Sequence, residues 1–222
     1  MKSFLTRSLS IGAFVILIAL RSANADLVGH GGMVRAVNFS ADGQRVVTAS
    51  FDYSAIIWNF EDQRKITVLE GHQGPVTNAQ FLPDGRIFTT GDDMVGIVWR
   101  AENKEPRIDH RLVGHTHKIM AATMFDSGRL LVTGSWDKTV RIWNSHTGKQ
   151  VRTIKLPVPV NAVAVINEEK SIAVGGHDSV IRIYDLQTGR AQGNLEGHRM
   201  AITELRAGLG GGRLISSSID KT

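Results

Sequence analysis

The sequence contains no cysteine among its 222 residues, and this absence excludes several kinds of site at once. Disulfide bonds, thiolate metal sites and covalently attached haem all need cysteine side chains. None of them can form within these residues. The folded chain must therefore be stabilised by packing and hydrogen bonding alone.

Proline and aromatic residues are also scarce: there are five prolines, and aromatic side chains make up 6% of the chain. Glycine is frequent by contrast, with 23 residues. This balance suits short strands joined by tight turns, and it does not suit collagen-like or disordered chains. No lysine- and arginine-rich stripe follows the first 25 residues, so nucleic acid is not expected as a partner.

The longest apolar run, residues 11–20, is too short for a membrane-spanning helix, which needs about 20 residues. It follows two basic residues and precedes Ala23 and Ala25, the small residues that a signal peptidase reads. These features predict a signal peptide cleaved after Ala25, which leaves Asp26 as the first residue of a periplasmic protein without membrane attachment. An uncleaved anchor is the alternative. Removing residues 1–25 lowers the formal charge from +5 to +2.

The rest of the chain repeats at a period of about 42 residues. Gly-His pairs mark four units, and an aspartate follows each histidine by 21 or 22 residues. In four units, three of them with a Gly-His pair at this spacing, an aromatic residue follows a turn aspartate by six residues. Short β-branched segments alternate with turn residues throughout, which predicts several short strands in each unit.

The aromatic residues stand in Trp58-Asn59, Trp99-Arg100, Trp143-Asn144 and Tyr184-Asp185, and with the Gly-His pairs they resemble the WD-repeat β-propellers. The resemblance implies an all-β fold, a propeller of four-stranded blades. The fifth unit stops before its third strand, so we expect about four and a half blades and a fragment of a seven-bladed or larger propeller. The blade units are expected at about residues 26–69, 70–111, 112–153, 154–194 and 195–222.

In WD-repeat proteins a histidine, a strand serine or threonine, the turn aspartate and the tryptophan form a hydrogen-bonded tetrad inside the blade. The resemblance implies such tetrads here, with imidazole and hydroxyl groups satisfying a buried carboxylate. The second unit has Gly91 in the serine position, and the fourth has Leu156 and Gly176 in the histidine and serine positions. The implied tetrad residues are His30, Ser50, Asp52, Trp58, His72, Asp93, Trp99, His115, Ser135, Asp137, Trp143, Asp178, Tyr184, His198, Ser218 and Asp220.

The exported start, segment 50–58 and the turn around Asp92 resemble, more narrowly, periplasmic WD-repeat proteins of proteobacteria. Some of these proteins carry a c-type cytochrome domain after the propeller. A haem domain of that kind would have to lie beyond residue 222, and no cofactor is expected within this chain.

Positions that differ between otherwise equivalent units point to a partner-binding face. We call the end of the propeller that carries the Gly-His loops the top face. Two residues of each unit should lie there: the one before the turn aspartate and one near the start of the first strand. Exposed aromatic side chains there favour a partner contact, and the alternative is that they pack against adjacent blades. The predicted face comprises Arg35, Phe51, Thr77, Asp92, Met120, Trp136, Asn161 and His177, with Thr203 and Ile219 at the same positions of the fifth unit.

Two constellations invite a chemical interpretation. His110, His115 and His117 lack supporting carboxylates, and His115 belongs to a tetrad, so no metal site is expected. The His-Asp pairs recur at blade spacing, which indicates architecture, and no catalytic residues are predicted. The sequence predicts a non-catalytic interaction scaffold whose partner is a protein or an attached domain. The alternatives are a redox accessory that presents a C-terminal cytochrome and, third, an enzyme that uses the propeller channel.

Overall fold

The computed structural model describes residues 27–101, 105–208 and 211–222, which form eighteen β-strands in five antiparallel sheets. Four sheets have four strands and the fifth has two, so the prediction of an all-β propeller with about four and a half blades is confirmed. Within these described ranges, no helix is long and apolar enough to cross a membrane. The predicted signal peptide, residues 1–25, lies outside the described residues.

Each sheet forms one blade, and its strands follow one another in chain order. The first blade contains β1 (Val34–Phe39), β2 (Arg45–Ser50), β3 (Ser54–Asn59) and β4 (Lys65–Glu70). The second contains β5 (Val76–Phe81), β6 (Ile87–Gly91), β7 (Gly96–Arg100) and β8 (Arg107–Leu112). The third contains β9 (Ile119–Phe125), β10 (Leu130–Ser135), β11 (Thr139–Asn144) and β12 (Gln150–Lys155). The fourth contains β13 (Val160–Ile166), β14 (Ser171–Gly176), β15 (Ile181–Asp185) and β16 (Ala191–Leu195), and the fifth contains β17 (Ile202–Ala207) and β18 (Leu214–Ser218).

The first strands of the five blades, β1, β5, β9, β13 and β17, line one common cavity of about 860 Å³. This cavity is the channel of the propeller. Consecutive first strands contact each other around it, and the later strands of each blade lie progressively further out. The loops before the first strands and the turns between second and third strands therefore meet at one end, the top face.

The hydrophobic core lies between consecutive blades. Val47 and Ile57 of the first blade pack with Ala79 and Phe81 of the second, all of them buried. The sheets approach closely where the second strand carries a small residue: a Cβ atom on Gly134 would lie 2.6 Å from a methyl group of Val160 in the next blade. Burying such side chains is the main favourable contribution to folding, at about 25 cal/mol per Å² of apolar surface.

The free side of the first blade exposes apolar residues that the other blades bury. Val34 is 44% exposed, whereas the equivalent Val76 of the second blade is fully buried. Phe39 is 54% exposed, against 6% for the equivalent Phe81. In the second blade this flank is buried against the first blade. The equivalent flank of the first blade is exposed.

Candidate interaction site on the top face

A buried hydrogen-bonded network connects the top face of the third blade to its core. His115 Nδ1 lies 2.7 Å from a carboxylate oxygen of Asp137, and His115 Nε2 lies 2.7 Å from Thr133 Oγ1. Trp143 Nε1 donates to the same threonine oxygen at 2.9 Å. The backbone N–H of Thr116 also donates to Asp137, at 3.1 Å. The network therefore ties the loop before β9, the turn after β10 and the strand β11 into one rigid unit.

The same arrangement recurs in other blades. In the first blade, His30 contacts Asp52 at 2.8 Å and Thr48 at 2.7 Å, and Trp58 donates to Thr48 at 2.8 Å. In the second blade the corresponding residues are His72, Asp93, Thr89 and Trp99, with distances of 2.8 to 2.9 Å. In the fifth blade His198 contacts Asp220 at 3.1 Å and Ser216 at 2.8 Å.

The serines assigned to the tetrads from the sequence are wrong, because the hydroxyl comes from a residue two positions earlier. Ser135 Oγ accepts a hydrogen bond from the backbone N–H of Asp137 at 3.0 Å and donates to the backbone oxygen of His117 at 2.8 Å. Ser50 and Ser218 accept the equivalent bond from Asp52 and Asp220. These serines lie at the ends of the second strands. Their hydroxyl groups cap the turn, whereas the indole N–H groups donate to Thr48 and Thr133 instead.

The second and fourth blades also differ from what the sequence implied. The second has a complete tetrad despite Gly91, because Thr89 supplies the hydroxyl. In the fourth, Asp178 is not left without partners: Arg182 holds it through contacts of 2.7 and 3.0 Å. Tyr184 occupies the tryptophan position and is buried. An ion pair therefore takes the place of the tetrad in that blade.

The tetrad aspartates stay ionised well into the acid range. Burial alone would raise the pKa of Asp52, but hydrogen bonds from Ser54 and His30 outweigh it and lower that pKa to about 2. For Asp137, burial is likewise outweighed by hydrogen bonds from Thr139 and His115, and its pKa is lowered. These groups are satisfied by their own blade, so they serve to hold the top-face turns in place.

The side chains predicted to form the binding face differ in exposure. Phe51 is 40% exposed, and Arg35 and His177 are exposed as well. Asp92 and Met120 are half-buried. Among the equivalent residues of the fifth blade, Ile219 is 56% exposed and Thr203 is exposed. The predicted face is thus only partly exposed to solvent, and its exposed side chains belong mainly to the first, fourth and fifth blades.

Thr77 does not belong to this face, and its assignment from the sequence is wrong. It is 8% exposed, and its hydroxyl donates to the backbone oxygen of Ile119 in the next blade at 2.7 Å. Asn161 at the equivalent position is half-buried and donates to the backbone oxygen of Ile202 at 2.9 Å. Both side chains hold neighbouring first strands together.

Trp136 lies between the Lys118 ammonium and two histidine rings, at the boundary of the third and fourth blades. The Lys118 ammonium is 3.9 Å from the centre of its ring, and the rings of His117 and His177 are 5.6 and 4.9 Å away. Trp136 Nε1 donates to Asn161 Oδ1 at 2.9 Å, so the half-buried indole is fixed in place. We call His117, Lys118, Trp136 and His177 the Trp136 cluster.

Sequence reasoning missed Lys118, Tyr53 and Met94 on this face. Tyr53 and Met94 directly follow a tetrad aspartate, with φ angles of 73° and 68°, and are 50% and 40% exposed. The equivalent residues Lys138 and Lys221 have φ angles of 66° and 72°, so the left-handed backbone belongs to the repeated turn and projects a different side chain in each blade. Aligning the turns of the repeats would have shown that this position varies between blades.

The three histidines considered for a metal site are not brought together. His115 is buried in its tetrad, and His117 lies beside Trp136. His110 contacts the backbone oxygen of His146 at the opposite end of the blade. Within the part of the chain that the structure describes, no three potential ligands lie close enough to hold a metal ion.

A second cavity of about 510 Å³ lies at the opposite end of the propeller. Arg86, which is 5% exposed, lines it and contacts the carboxylates of Asp84 and Asp109 at 2.8 and 3.2 Å. The same guanidinium donates to the Ser145 hydroxyl of the next blade at 3.0 Å. Because its donors are used in this way, Arg86 links the second and third blades.

Comparison with known proteins identifies the repeat. The model of the "WD domain, G-beta repeat" family matches residues 22–59, 63–100, 107–144 and 148–185, more than half of the chain. The chain belongs to the WD40 repeat family. The second, third and fourth WD40 matches each begin with the outer strand of one blade and end with the third strand of the next. Each of these WD40 repeats therefore joins two neighbouring blades.

Several curated proteins are similar to most of this chain. It is 29% identical over 83% of its length to "Pre-mRNA-splicing factor cwf17" of Schizosaccharomyces pombe, of which it covers 54%. It is 25% identical over 86% of its length to "Autophagy-related protein 16" of Arabidopsis thaliana, of which it covers 38%. It is 27% identical over 79% of its length to "WD repeat-containing protein 37" of Xenopus laevis, of which it covers 37%. The chain spans about half or less of the length of these relatives.

Proposed function

We propose that this chain is a non-catalytic, periplasmic scaffold that binds a protein partner or an attached domain through its top face. WD-repeat proteins in general bind protein partners, which supports the class of function. The observation that carries the proposal is the variation at one slot, the position directly before each turn aspartate. Phe51, Trp136 and His177 precede equivalent turn aspartates, yet their chemistry differs, and for Phe51 and Trp136 it differs although the tetrads behind them are the same.

A slot that only served folding would use one side chain in every blade. Large aromatic rings give much contact area for little loss of conformational entropy, which is why they are frequent at interaction sites. Phe51 is 40% exposed, and Tyr53 beside it is 50% exposed. These exposed rings on a face whose turns are held by tetrads favour recognition of a partner by a preorganised surface.

The periplasmic location is supported by the features of residues 1–25, a basic start, an apolar run and small residues before position 26. The narrower resemblance to exported proteobacterial proteins supports the same location. A protein that presents a C-terminal cytochrome and an enzyme that uses the channel remain the alternatives to the scaffold.

Two exposed phenylalanines at opposite ends of the first blade allow a matched test. Phe51 lies on the top face, and Phe60, 51% exposed, lies in the turn at the other end. A photo-crosslinking phenylalanine analogue is placed at either position in cells that produce the protein. We expect a specific adduct from position 51 and none from position 60.

The crosslinked partner is then purified and titrated against the chain. Phe51→Ala should weaken its binding by about tenfold, which corresponds to the loss of one aromatic contact. Phe60→Ala should leave binding unchanged. Adducts only from position 60, or equal binding by both variants, would contradict a top-face interaction.

A further inference from the structure

The Trp136 cluster holds one positive charge, the Lys118 ammonium, at a fixed point of the top face beside two histidine rings. We propose that it binds a carboxylate side chain in an acidic peptide segment of the partner. This inference rests on the proposed function of the top face and names the chemistry that the face recognises. It follows from three features: the way Lys118 and the histidines are held, the carboxylates around them, and the exposed apolar side chains on the same face.

Lys118 and His117 of the Trp136 cluster are held in place with hydrogen-bond donors to spare. The Lys118 ammonium lies over the Trp136 ring, and a cation–π contact uses none of its N–H donors. His117 Nδ1 accepts a hydrogen bond from the backbone N–H of Lys118 at 2.9 Å. Because Nδ1 is the acceptor, Nε2 carries the proton of the neutral ring and can donate to a ligand.

The neighbouring carboxylates are already engaged. Asp137 is bound by His115 at 2.7 Å and by Thr139 at 2.6 Å, and Asp178 is bound by Arg182 at 2.7 Å. Among residues 27–101, 105–208 and 211–222, no carboxylate forms an ion pair with Lys118, His117 or His177. The charge of the cluster is therefore not neutralised by the chain itself and attracts an anion.

The surroundings favour a peptide over a nucleic acid. Apolar side chains share the top face, with Phe51 and Met94 each 40% exposed and Ile219 56% exposed. Asp92 places a negative charge in the same slot of the second blade. A polyphosphate backbone needs a stripe of cations, whereas one cationic point on a face that also exposes apolar side chains fits an acidic residue in a peptide with apolar residues.

Tryptophan fluorescence gives a direct test on the whole protein. Trp58, Trp99 and Trp143 are at most 2% exposed, so a dissolved quencher reaches Trp136 first. The ratio of the iodide to the caesium quenching constant should be about threefold higher for the native protein than for a free tryptophan derivative, because a cationic site enriches anions. Lys118→Gln should bring this ratio down to that of the free derivative, whereas Lys138→Gln, in the turn that carries Trp136 but outside the cluster, should not. A native ratio equal to or below that of the free derivative would overturn the inference.

Binding is measured with a fluorescein-labelled ten-residue peptide of glutamate and leucine. We expect the matched glutamine peptide, and the Lys118→Gln variant with the glutamate peptide, each to bind about tenfold more weakly. Lys138→Gln should leave the affinity within about twofold. Thermal melting of both variants checks that they are folded.

The outcomes separate this inference from the function on which it rests. Failure of the glutamate peptide to bind, or no effect of Lys118→Gln on its binding, overturns the carboxylate pocket. A ten-nucleotide thymidine strand that binds more tightly than the peptide also overturns it and assigns the cluster to nucleic acid. In each case the crosslinking result at Phe51 still decides whether the top face binds a protein.

Discussion

The indole N–H of Trp143 donates to Thr133 Oγ1 at 2.9 Å, and together with the burial that lowers the pKa of His115 this bond indicates where the protons of the tetrad lie. An indole nitrogen can only donate, so the threonine proton is directed at another group. That group is His115 Nε2, 2.7 Å away. His115 is therefore a neutral imidazole with its proton on Nδ1, where it donates to Asp137 at 2.7 Å.

Thr133→Val should destabilise the protein by about 1–3 kcal/mol, because it leaves a buried indole N–H and an imidazole nitrogen unpaired at constant side-chain volume. Thr133→Ser keeps the hydroxyl group and should therefore retain most of the free energy of unfolding. Ser135→Ala serves as the control, since Ser135 lies outside the tetrad, and it should cost less. Urea denaturation measures all three, and a larger loss for Ser135→Ala would contradict the corrected tetrad.

Asp137→Ala should cost more stability than Asp178→Ala. Asp137 satisfies His115, Thr139 and the backbone N–H of Thr116, so its removal leaves several donors unpaired, at about 1–3 kcal/mol. Asp178 holds one arginine whose charge remains partly hydrated, which limits its loss to about 1 kcal/mol. Equal shifts of the urea midpoint would show that the ion pair of the fourth blade is as important as a tetrad.

Acidification should lower the melting temperature in two steps. Burial lowers the pKa of His115 below its usual 6.5, and Asp137 opposes this only in part. The unfolded chain therefore takes up a proton first, and stability declines as pH falls below about 6.5. The pKa of Asp52 is about 2, against 3.8 in the unfolded chain, so a second decline begins near pH 4.

Thermal melts between pH 8 and pH 3 test this dependence. The Thr133→Val variant should show a smaller first step, since its His115 no longer has to accept a hydroxyl proton. A melting temperature that rises between pH 7 and pH 5 would be incompatible with a neutral buried His115.

Gly134→Ala should destabilise the contact between the third and fourth blades. Its new Cβ would lie 2.6 Å from Val160 Cγ1, and overpacking of this kind costs about 1–3 kcal/mol. Val160→Ala in the same chain should recover part of the loss. Gly193→Ala provides the control, because nothing lies within 4 Å of its Cβ position. Similar melting temperatures for the two glycine variants would contradict the close approach.

The predicted signal peptide should be removed on export. Mass spectrometry of the periplasmic fraction should find Asp26 as the first residue. Ala25→Arg should block cleavage, because the peptidase needs a small residue there, and the uncleaved product should accumulate. A native product that keeps Met1 and stays in the membrane would favour the uncleaved anchor.

Three of the four tetrad positions could be identified from the sequence, because fixed spacings link the histidine, the aspartate and the tryptophan. The hydroxyl could not, since Thr48 and Ser50 both lie near the end of β2. Strand register distinguishes them. Trp58 pairs with Val46, and its indole extends along the sheet to Thr48, two residues further on. Register is a property of the folded sheet, so spacing alone did not reveal it.

The top face was harder to predict because its exposure depends on the neighbouring blade. From its own repeat alone, Thr77 is predicted to be a surface residue. Its hydroxyl in fact donates to the backbone oxygen of Ile119, 42 residues away. Trp136 is held by Asn161 and His177 of the next blade, so the alternative of rings packed against adjacent blades describes it in part. Phe51 shows the other outcome, an exposed ring.

Chain order and spatial order coincide in this propeller: every sheet is built from consecutive strands, and each blade packs on the one before it. Folding can therefore advance vectorially, each blade adding its sheet to a finished neighbour as the polypeptide emerges from a ribosome or a translocation pore. Contacts of this short sequence range impose little loop-closure entropy at each stage. A pause in synthesis after β16 would leave a partly folded chain in which four sheets are already paired.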